Sequence, residues 1–443
     1  MFGSLAYRHA PVRAQETLIA ARAALRARLR EGRAFEALRA QVEESQWWSA
    51  AELRACQERD VRNLLEFARR HVPFYRERAA GDELEDWPLI GKAEVRAAGR
   101  ALLAERRNGP LFESGTSGMS GTPLKLWQDL AAINRENAFV WRQLEWAGLR
   151  RGERRAWLRG DMIVPAAQRV PPYWRMNRAE NMLMLSSYHL ADSTAASYLE
   201  ALEAFDPVLI QTYPSAIGFL ASWMLASGTR YRGAALCGIV TSSETLSAER
   251  RRDIAVAFAC PVLDWYGQAE RVAAIGTCEH GRYHLMTDYS HVELLPVGDG
   301  TCELVGTGFN NFAMPLIRYR TGDVVRPAPE GERCVCGRAF PLIEAIAGRD
   351  DDTVKLPDGR AIGRLDHVFK GVSGIVEAQI RQERADAIDV VLVPAAGYGE
   401  AARRALLQNL RERLGNDVAL HIRAVDAIPR GANGKFKGAV CNL

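Results

Sequence analysis

The sequence is poor in lysine and has no long apolar run. Six lysines stand against 52 arginines in 443 residues, so a lysine at a candidate reactive position is more informative than usual. No apolar stretch approaches the roughly 20 residues that a transmembrane helix needs. The N-terminus also lacks the apolar run and the small-residue cleavage site of a secretory signal. We therefore expect a soluble, cytoplasmic protein with no membrane partner.

The sequence also lacks a strong net charge and a disulfide framework. Its 58 basic and 54 acidic residues leave a formal net charge of +4, which does not call for nucleic acid as a partner. The arginine-rich N-terminal segment lacks the interleaved aromatic residues that are typical of a nucleic-acid-binding surface. Eight cysteines scattered through a chain of this length indicate free thiols or metal ligands rather than disulfides.

The apolar pattern predicts an α/β protein of more than one domain. Helical spacing, with apolar residues such as Leu18 and Leu25, predicts an amphipathic helix over residues 14–42. A second helix is predicted to begin at residue 60 and to end before Pro73, because proline disfavours helical geometry in the preceding residue. Helical stretches then alternate with apolar runs from residue 131 to about 220, which favours an α/β core.

After Arg349 the pattern starts again and predicts a separate, smaller domain. A strand near residues 388–393, a helix over 399–414 and a strand over 419–424 indicate an α+β unit. We predict a large α/β domain over residues 1–348, with a helical N-terminal extension, and a small α+β domain over residues 349–443.

A loop rich in glycine and hydroxyl groups, ESGTSGMSGTP, occupies residues 113–123. Such a loop lets backbone N–H groups approach a phosphate closely, while serine and threonine hydroxyls add donors. It lacks the GKS or GKT ending of a Walker loop, which excludes the P-loop kinase interpretation. A flexible turn is the alternative. The candidate phosphate-binding residues are Thr116, Ser117, Gly118, Ser120, Gly121 and Thr122.

Four further motifs follow this loop in a fixed order. They are DWYGQAE at 264–270, RYRTGD at 318–323, GRDDD at 348–352 and PRGANGK at 429–435. Together the five motifs resemble those of the adenylate-forming superfamily, which contains acyl-CoA synthetases, luciferases and peptide-synthetase adenylation domains. Within it, the segments at 65–75 (LEFARRHVPFY), 313–320 (AMPLIRYR) and 334–338 (CVCGR) resemble the phenylacetate-CoA ligase and CapK-like branch.

The resemblance implies an AMP-forming acid-thiol ligase. Such an enzyme activates a carboxylic acid with ATP to an acyl-AMP, and the acyl group then passes to a thiol such as that of coenzyme A; this branch favours aryl acids. Because a carboxylate and the α-phosphate of ATP are both anions, the site must supply positive charge in the transition state. The resemblance assigns this role to Lys435, on a mobile C-terminal domain. An exposed lysine near the chain end is the alternative.

The resemblance also assigns residues to the nucleotide and to Mg²⁺. Asp323 is expected to accept from the ribose hydroxyls, and Glu270 to hold the Mg²⁺ that bridges the ATP phosphates, because carboxylate oxygen suits this cation. A turn aspartate and a solvated glutamate are the alternatives. Asp351 falls at the hinge position. The remaining predicted nucleotide contacts are Tyr266, Gly267 and Arg349.

One position departs from the family pattern. Where the family most often has a hydroxyl residue before the glutamate, this chain has Ala269. A lost hydrogen bond to a phosphate costs roughly 1.5 to 3 kcal/mol unless another group replaces it. A degenerate module that binds acyl-AMP without catalysis is therefore kept as an alternative function.

Two cysteine-containing segments predict a second, structural centre. Cys278, Cys334 and Cys336 with one histidine would form a closed tetrahedral Zn²⁺ site. Some members of the resembling branch carry such a metal, and His284 matches their histidine better than His280 does. Ordinary buried thiols are the alternative.

The acyl pocket and the acyl acceptor are less well specified. Tyr213, Ser215 and Trp265 are predicted to contact the acid, because flat apolar rings suit an aryl group; simple core packing is the alternative. Coenzyme A is the expected acceptor, but a carrier protein or an amine stays open. A homodimer is compatible with the sequence and is not specified by it.

Overall fold

The computed structural model describes residues 4–30, 32–78, 81–107, 109–115, 124–165, 168–349, 354–357, 361–362, 365–369, 372–416, 418–429 and 438–443. The chain forms two compact units. Met1–Ser117, Pro123–Thr321 and Val325–Ile346 belong to the larger unit, whereas Gly322–Val324 and Ala347–Leu443 belong to the smaller one. The predicted boundary at residue 348 stays a prediction. Within the described ranges, no helix is both long enough and apolar enough to span a bilayer.

The helices described in the larger unit begin at the N-terminus, where the predicted single helix over 14–42 is wrong. Two helices occupy this segment, because Gly32 is extended (φ −103°, ψ −176°) and starts a new helix. The buried face of the first contains Ile19 and Ala23, whereas Leu18 and Leu25 are exposed. The helices are α1 (Leu5–His9), α2 (Val12–Arg30), α3 (Arg33–Ser45), α4 (Ala50–His71), α5 (Pro73–Arg76), α6 (Lys92–Ala98), α7 (Leu130–Trp146), α8 (Asp192–Phe205), α9 (Pro214–Ser227) and α10 (Ala248–Phe258).

Helix α4 ends where the sequence predicts and begins earlier. Ser49 caps its N-terminus, and Glu52 completes the reciprocal capping box, so this helix starts ten residues before position 60. Its last residue is His71, and Val72 is extended (φ −116°, ψ 110°). The predicted stop before Pro73 is therefore confirmed.

The strands described up to residue 349 form a hairpin and one twelve-stranded sheet. They are β1 (Phe112–Gly115), β2 (Lys125–Gln128), β3 (Arg155–Arg159), β4 (Trp174–Asn177), β5 (Met182–Ser186), β6 (Leu209–Thr212), β7 (Gly238–Ser242), β8 (Val262–Gly267), β9 (Ala274–Thr277), β10 (Tyr283–Leu285), β11 (Ser290–Gly298), β12 (Thr301–Gly308), β13 (Tyr319–Pro327) and β14 (Leu342–Arg349). Strands β1 and β2 form the hairpin, and the order in the sheet is β11-β12-β13-β14-β10-β9-β8-β7-β6-β3-β5-β4.

Five neighbouring strands of this sheet, β5, β3, β6, β7 and β8, run parallel. Every residue of β6 and β7 is buried, as expected for parallel strands that are covered on both faces. Tyr198 of α8, Leu220 of α9 and Phe258 of α10 share one apolar cluster on one side. Phe35 of α3 and Phe139 of α7 belong to another cluster. The α/β core that the alternating pattern predicts is present.

The smaller unit is an α+β structure. Its strands are β15 (Val354–Lys355), β16 (Ala361–Ile362), β17 (Ile375–Arg384), β18 (Ala387–Pro394), β19 (Ala419–Ala424) and β20 (Ala439–Cys441), and its helix is α11 (Glu400–Leu414). Four of these strands form one sheet in the order β19-β18-β17-β20. Ile380, Val390 and Leu406 lie at the centre of its core. The predicted helix over 399–414 and strand over 419–424 are confirmed.

Candidate functional site

The carboxyl ends of the parallel strands meet at one edge of the large sheet. Thr212 pairs with Thr241, and Ser242 pairs with Trp265, so the residues that follow β6, β7 and β8 lie side by side. Ligands of open α/β sheets bind outside this edge, because the loops there can present side chains without disturbing the buried strands. We call it the carboxyl edge.

A polar turn after β7 forms part of the carboxyl edge. The Glu244 carboxylate accepts from the Ser215 backbone N–H at 2.9 Å and from the Ser215 hydroxyl at 3.0 Å. Ser215 lies in the first turn of α9, where a carboxylate is stabilised by the helix dipole. Ser243 has a left-handed backbone (φ 72°). This turn was not predicted from the sequence, although the polar run from 241 to 244 directly after an apolar strand would have indicated it.

Glu270 follows β8 and connects two of the sequence motifs. Its side chain is buried, and the Tyr319 hydroxyl donates to its Oε1 at 3.0 Å. The other oxygen, Oε2, is buried and has no hydrogen-bond partner within the described part of the chain. A buried carboxylate oxygen without a donor is costly unless a ligand satisfies it. The arrangement therefore fits a cation or a hydrogen-bond donor from a ligand.

The turn that carries Glu270 packs tightly against β12. Arg271 has a left-handed backbone (φ 56°). A Cβ atom on Gly306 would lie 2.3 Å from the Val272 carbonyl oxygen, and one on Gly308 would lie 2.6 Å from the Arg271 carbonyl oxygen. Glycine is required at both positions because the backbone of the turn occupies this space. The position of Glu270 is thus fixed by backbone packing.

Groups of helix α7 beside this turn bind the side chain of Arg271. Its Nη1 donates to the Ala132 carbonyl at 2.7 Å, and its Nε lies 3.9 Å from Glu136 Oε2. The Tyr289 hydroxyl also donates to Glu136, at 2.5 Å. Burial raises the pKa of the Glu136 carboxyl, although Arg271 and Tyr289 act in the opposite direction. These contacts anchor Arg271, the residue that follows Glu270, to helix α7.

Asp264, the first residue of the motif at 264–270, connects β8 to its neighbouring strands. It accepts from the Thr241 hydroxyl at 2.6 Å and from the Tyr283 hydroxyl at 2.9 Å. Burial raises the pKa of this carboxyl. These contacts link β8 to β7 and to β10. The Asp264 carboxylate therefore fixes the position of β8 and is not exposed at the carboxyl edge.

Trp265 and Tyr266 lie on opposite faces of β8, since side chains alternate along a strand. Trp265 packs against the cluster that contains Phe139, and Tyr266 packs against the cluster that contains Ile275. A Cβ on Gly267 would lie 2.9 Å from the Trp265 indole nitrogen. The two rings therefore lie on different faces of the sheet. Tyr213, a third aromatic residue of the predicted site, is buried at the N-terminus of α9.

Four side chains that can bind a metal meet near the end of β9, which lies at the edge opposite the carboxyl edge because β9 runs antiparallel to β8. The ligand atoms of Cys278, His284, Cys334 and Cys336 all lie within 4.8 Å of one another. Cys278 Sγ lies 3.6 Å from Cys334 Sγ, and Cys336 Sγ lies 3.5 Å from His284 Nε2. Tetrahedral Zn²⁺ with bonds of about 2.3 Å to sulfur would separate its ligand atoms by about 3.7 Å. The donor set and the spacing fit a closed zinc site, with His284 and not His280 in the cluster.

Burial shifts the pKa values of two groups of this cluster, His284 and Cys278, in favour of their uncharged forms. Burial lowers the pKa of His284 to about 4, so the imidazole is neutral at pH 7 and available as a ligand. Burial raises the pKa of the Cys278 thiol to about 12. A bound cation would reverse the second effect, because it stabilises the thiolate. Arg338 covers the cluster, with its guanidinium 4.1 Å from the Trp146 ring centroid and paired with Glu279.

Comparison with known proteins places this geometry in a family. Residues 356–442 match the model of the CapK C-terminal domain. The Staphylococcus aureus protein CapK is 27% identical over 364 residues, which cover 80% of each chain. The Pseudomonas putida phenylacetate-coenzyme A ligase is 25% identical over 343 residues, which cover 72% of this chain and 75% of the relative. These similarities assign the C-terminal segment to the CapK C-terminal domain family and relate most of the chain to CapK and to phenylacetate-coenzyme A ligase, two relatives that support the adenylate-forming resemblance.

A solved structure of the same superfamily agrees with this assignment at the level of the fold. The crystal structure of 2-hydroxyisobutyryl-CoA ligase in the postadenylation state, with R3-HIB-AMP, is 20% identical with a TM-score of 0.66. The alignment covers 89% of this chain and 90% of that structure. The chain therefore has the adenylate-forming fold, a large N-terminal α/β domain and a small C-terminal α+β domain.

Several residues that the superfamily motifs predict lie outside the described residues. These are Thr116, Ser117, Gly118, Ser120, Gly121, Thr122, Asp351 and Lys435, together with the side chain of Arg349. Asp323 is described and is a buried residue of β13. The roles of all of these residues stay predictions. Among the described residues, the motif at 264–270 and the motif at 318–323 do meet, through Glu270 and Tyr319.

Proposed function

We propose that this protein activates a carboxylic acid with ATP to an acyl-AMP and then transfers the acyl group to the thiol of coenzyme A. The observation that carries the proposal is Glu270. One of its oxygens is held by Tyr319, while the other is buried without a donor in the described part of the chain. In an adenylate-forming fold, a half-satisfied carboxylate at the carboxyl edge is suited to a nucleotide-bound cation.

The cation would be Mg²⁺, held by Glu270. When bound with ATP, Mg²⁺ neutralises part of the negative charge on the phosphates. The chain's own contribution is to fix the carboxylate: Tyr319 orients it, and the close packing of the turn on Gly306 and Gly308 prevents it from moving away. Pre-organisation of this kind avoids a reorganisation cost during the reaction.

The remaining nucleotide contacts are proposed by the superfamily motifs. Asp323 would accept hydrogen bonds from the ribose, and Lys435 would donate to the charge that develops at the α-phosphate. The hydroxyl-rich loop from Thr116 to Thr122 would bind the β- and γ-phosphates. Asp351 would be the hinge about which the smaller domain changes position.

The acid and the acceptor are the finer parts of the proposal. An aryl acid is favoured by the resemblance to phenylacetate-coenzyme A ligase, and Tyr213, which precedes α9 at the carboxyl edge, is the aromatic residue proposed to contact it. Coenzyme A is the proposed acceptor. A carrier protein or an amine is distinguished from it by incubating enzyme, acid and ATP with each acceptor and determining the product masses.

Acid-dependent exchange of pyrophosphate into ATP tests the first half-reaction. We expect exchange with wild-type protein, and a loss of about 10²-fold or more in Glu270→Gln, which removes the charge but keeps the shape. Glu303→Gln is the matched control, because Glu303 is also buried but both of its oxygens are held by Arg320. Binding of ATP without exchange over a broad acid panel would instead support the degenerate acyl-AMP-binding module.

The second centre supports a stability function. We propose that Cys278, His284, Cys334 and Cys336 bind a structural Zn²⁺, because four protein ligands leave no coordination position for a substrate. Bound zinc would link the segment after β9 to the loop before β14, two regions that are about 50 residues apart. Elemental analysis of protein purified without chelators should give about one zinc per chain.

A further inference from the structure

Arg159 is the last residue of β3 and lies at the carboxyl edge next to residues of the proposed acyl pocket. Its guanidinium carbon is 4.7 Å from the centroid of the Tyr213 ring and 4.9 Å from that of the Trp157 ring. One terminal nitrogen donates to the Ser243 hydroxyl at 2.8 Å. The guanidinium therefore contacts two aromatic rings and reaches across β6 to the end of β7.

The donors of this guanidinium are poorly matched by the protein. A guanidinium has five N–H groups, and in the described residues only the Ser243 hydroxyl accepts from it. No carboxylate of the described residues lies within 4.0 Å of its nitrogens. Two acidic residues of the neighbouring turns are engaged elsewhere: Asp161 accepts from the Trp157 indole at 2.6 Å, and Glu244 accepts from Ser215.

A second arginine of the same strand face provides a direct contrast. Arg155 lies four residues earlier on β3 and pairs with Glu180 at 2.8 Å. It also donates to the Gln211 side chain at 3.1 Å. Among the described residues, the strand thus carries one arginine that has a carboxylate partner and one, at the carboxyl edge, that has none.

An arginine in this setting is suited to an anion. Its planar fork matches a carboxylate with two parallel hydrogen bonds, and aromatic rings on its faces hold it in place without consuming its N–H donors. We propose that Arg159 binds a second carboxylate of the acid substrate, so that the protein activates dicarboxylic acids. The inference rests on the proposed function, because it names the substrate class of the same reaction.

The geometry also limits the size of the substrate. The guanidinium reaches Ser243, which follows β7, and β7 is the immediate neighbour of β8. Because adjacent strands are about 4.8 Å apart, the second carboxylate would lie roughly 5 to 10 Å from the end of β8. A dicarboxylic acid with a backbone of about four to eight carbons, or with one aromatic ring, spans such a distance.

Pyrophosphate release with matched acid pairs tests the inference. Glutarate, adipate and suberate would be compared with pentanoate, hexanoate and octanoate, and 4-carboxyphenylacetate with phenylacetate, so that the aliphatic and aryl scaffolds are separate arms. We expect the dicarboxylic member of at least one pair to have a kcat/KM that is about 10- to 100-fold higher. In Arg159→Gln this preference should disappear, mainly through KM, while the activity with the monocarboxylic member stays within about threefold.

Arg155→Gln is the matched control, because it removes an arginine from the same face of the strand. It should keep the dicarboxylate preference even where it lowers stability. Equal or better use of the monocarboxylic acids by wild-type protein would overturn the inference and leave the proposed function intact, and so would an unchanged preference in Arg159→Gln. If Arg159→Gln fails to fold, Arg159→Lys keeps the charge without the planar fork and should lose most of the preference.

Failure of the proposed function has a different signature, which is no pyrophosphate release with any acid. In that case thermal denaturation with each dicarboxylate, in the absence of ATP, tests the inference by itself. Stabilisation of the wild type but not of Arg159→Gln would support the second-carboxylate site, and no difference between the two proteins would overturn it.

Discussion

The thiol–imidazole cluster and the carboxyl edge are two polar regions of the same unit, and they differ in how fully their atoms are matched. In the cluster, Cys278, Cys334, Cys336 and His284 point their donor atoms at one another within 4.8 Å. At the edge, Glu270 Oε2 has no partner within the described part of the chain. Arg159 uses one donor there. A cluster whose donor atoms face one another is suited to a structural metal, whereas an edge that keeps unmatched polar atoms is suited to a ligand.

The first prediction is that substitution of Lys435 affects adenylation at the carboxyl edge and leaves the thiol–imidazole cluster unchanged. Lys435→Ala should reduce adenylation by about 10²- to 10³-fold, on the scale of the loss of one transition-state donor. Zinc content and thermal stability should not change. Lys437→Ala, two residues further, is the control and should retain activity; wild-type exchange rates in Lys435→Ala would exclude the proposed role.

The cluster should show the opposite response. Cys334→Ser removes one ligand, so the zinc content should fall from about one per chain to near zero. The free energy of unfolding of the larger unit should fall by about 3 to 4 kcal/mol, the stabilisation given by a ligand at 100 to 1,000 times its dissociation constant.

Cys260→Ser is the control for this variant, because Cys260 is a buried thiol outside the cluster. It should keep its zinc even if the buried hydroxyl lowers stability. Full zinc occupancy in Cys334→Ser, measured by elemental analysis, would show that the four side chains do not form a metal site.

Some residues of the two regions could be predicted from sequence motifs, and one could not. The cysteines and histidine could be predicted because metal ligands are few in type and have restricted spacing. Glu270 could be predicted because it belongs to a motif. Arg159 could not, since its position next to Tyr213 and Ser243 depends on the parallel pairing of β3, β6 and β7, which joins residues 54 and 84 positions apart.

The N-terminal helices show the same limit. The apolar residues Leu18 and Leu25 predict one buried face, but the structure buries Ile19 and Ala23 instead. In an arginine- and alanine-rich segment several faces have similar hydrophobicity, so tertiary contacts decide which one is buried. The break at Gly32 follows from a single flexible residue, which a periodic pattern does not register.

The third prediction concerns Ala269, the residue near the carboxyl edge that departs from the family pattern. Ala269→Thr should increase the adenylation rate by about 10-fold, because the hydroxyl can form a charge-assisted hydrogen bond with a phosphate. Ala269→Val is the matched control, since it has the same branched shape without the hydroxyl. Equal rates in the two variants, measured by pyrophosphate exchange, would show that the missing hydroxyl is not limiting.

The fourth prediction concerns pH and the metal-free cluster. The pKa of His284 is about 4 in the folded protein, below its ordinary value of 6.5, because the imidazole is buried. As the pH falls from about 6.5 to 4, the unfolded chain takes up a proton that the folded chain does not. The free energy of unfolding should therefore fall over this window, by up to about 1.4 kcal/mol per pH unit.

Urea denaturation of chelator-treated protein at several pH values checks this dependence. Tryptophan fluorescence follows the unfolding, and Trp146, whose ring lies 5.9 Å from the His284 ring, contributes to it. His284→Gln should reduce the slope. A slope that is the same in both proteins would contradict the assignment of the pH dependence to His284.

The central claim is that the carboxyl edge of the large sheet is a nucleotide site, and a crystal structure with AMP and Mg²⁺ tests it most directly. The account predicts nucleotide against Tyr266 and Gly267, its ribose at Asp323, and the metal on Glu270 Oε2. Nucleotide bound elsewhere, with Glu270 Oε2 still without a partner, would contradict it.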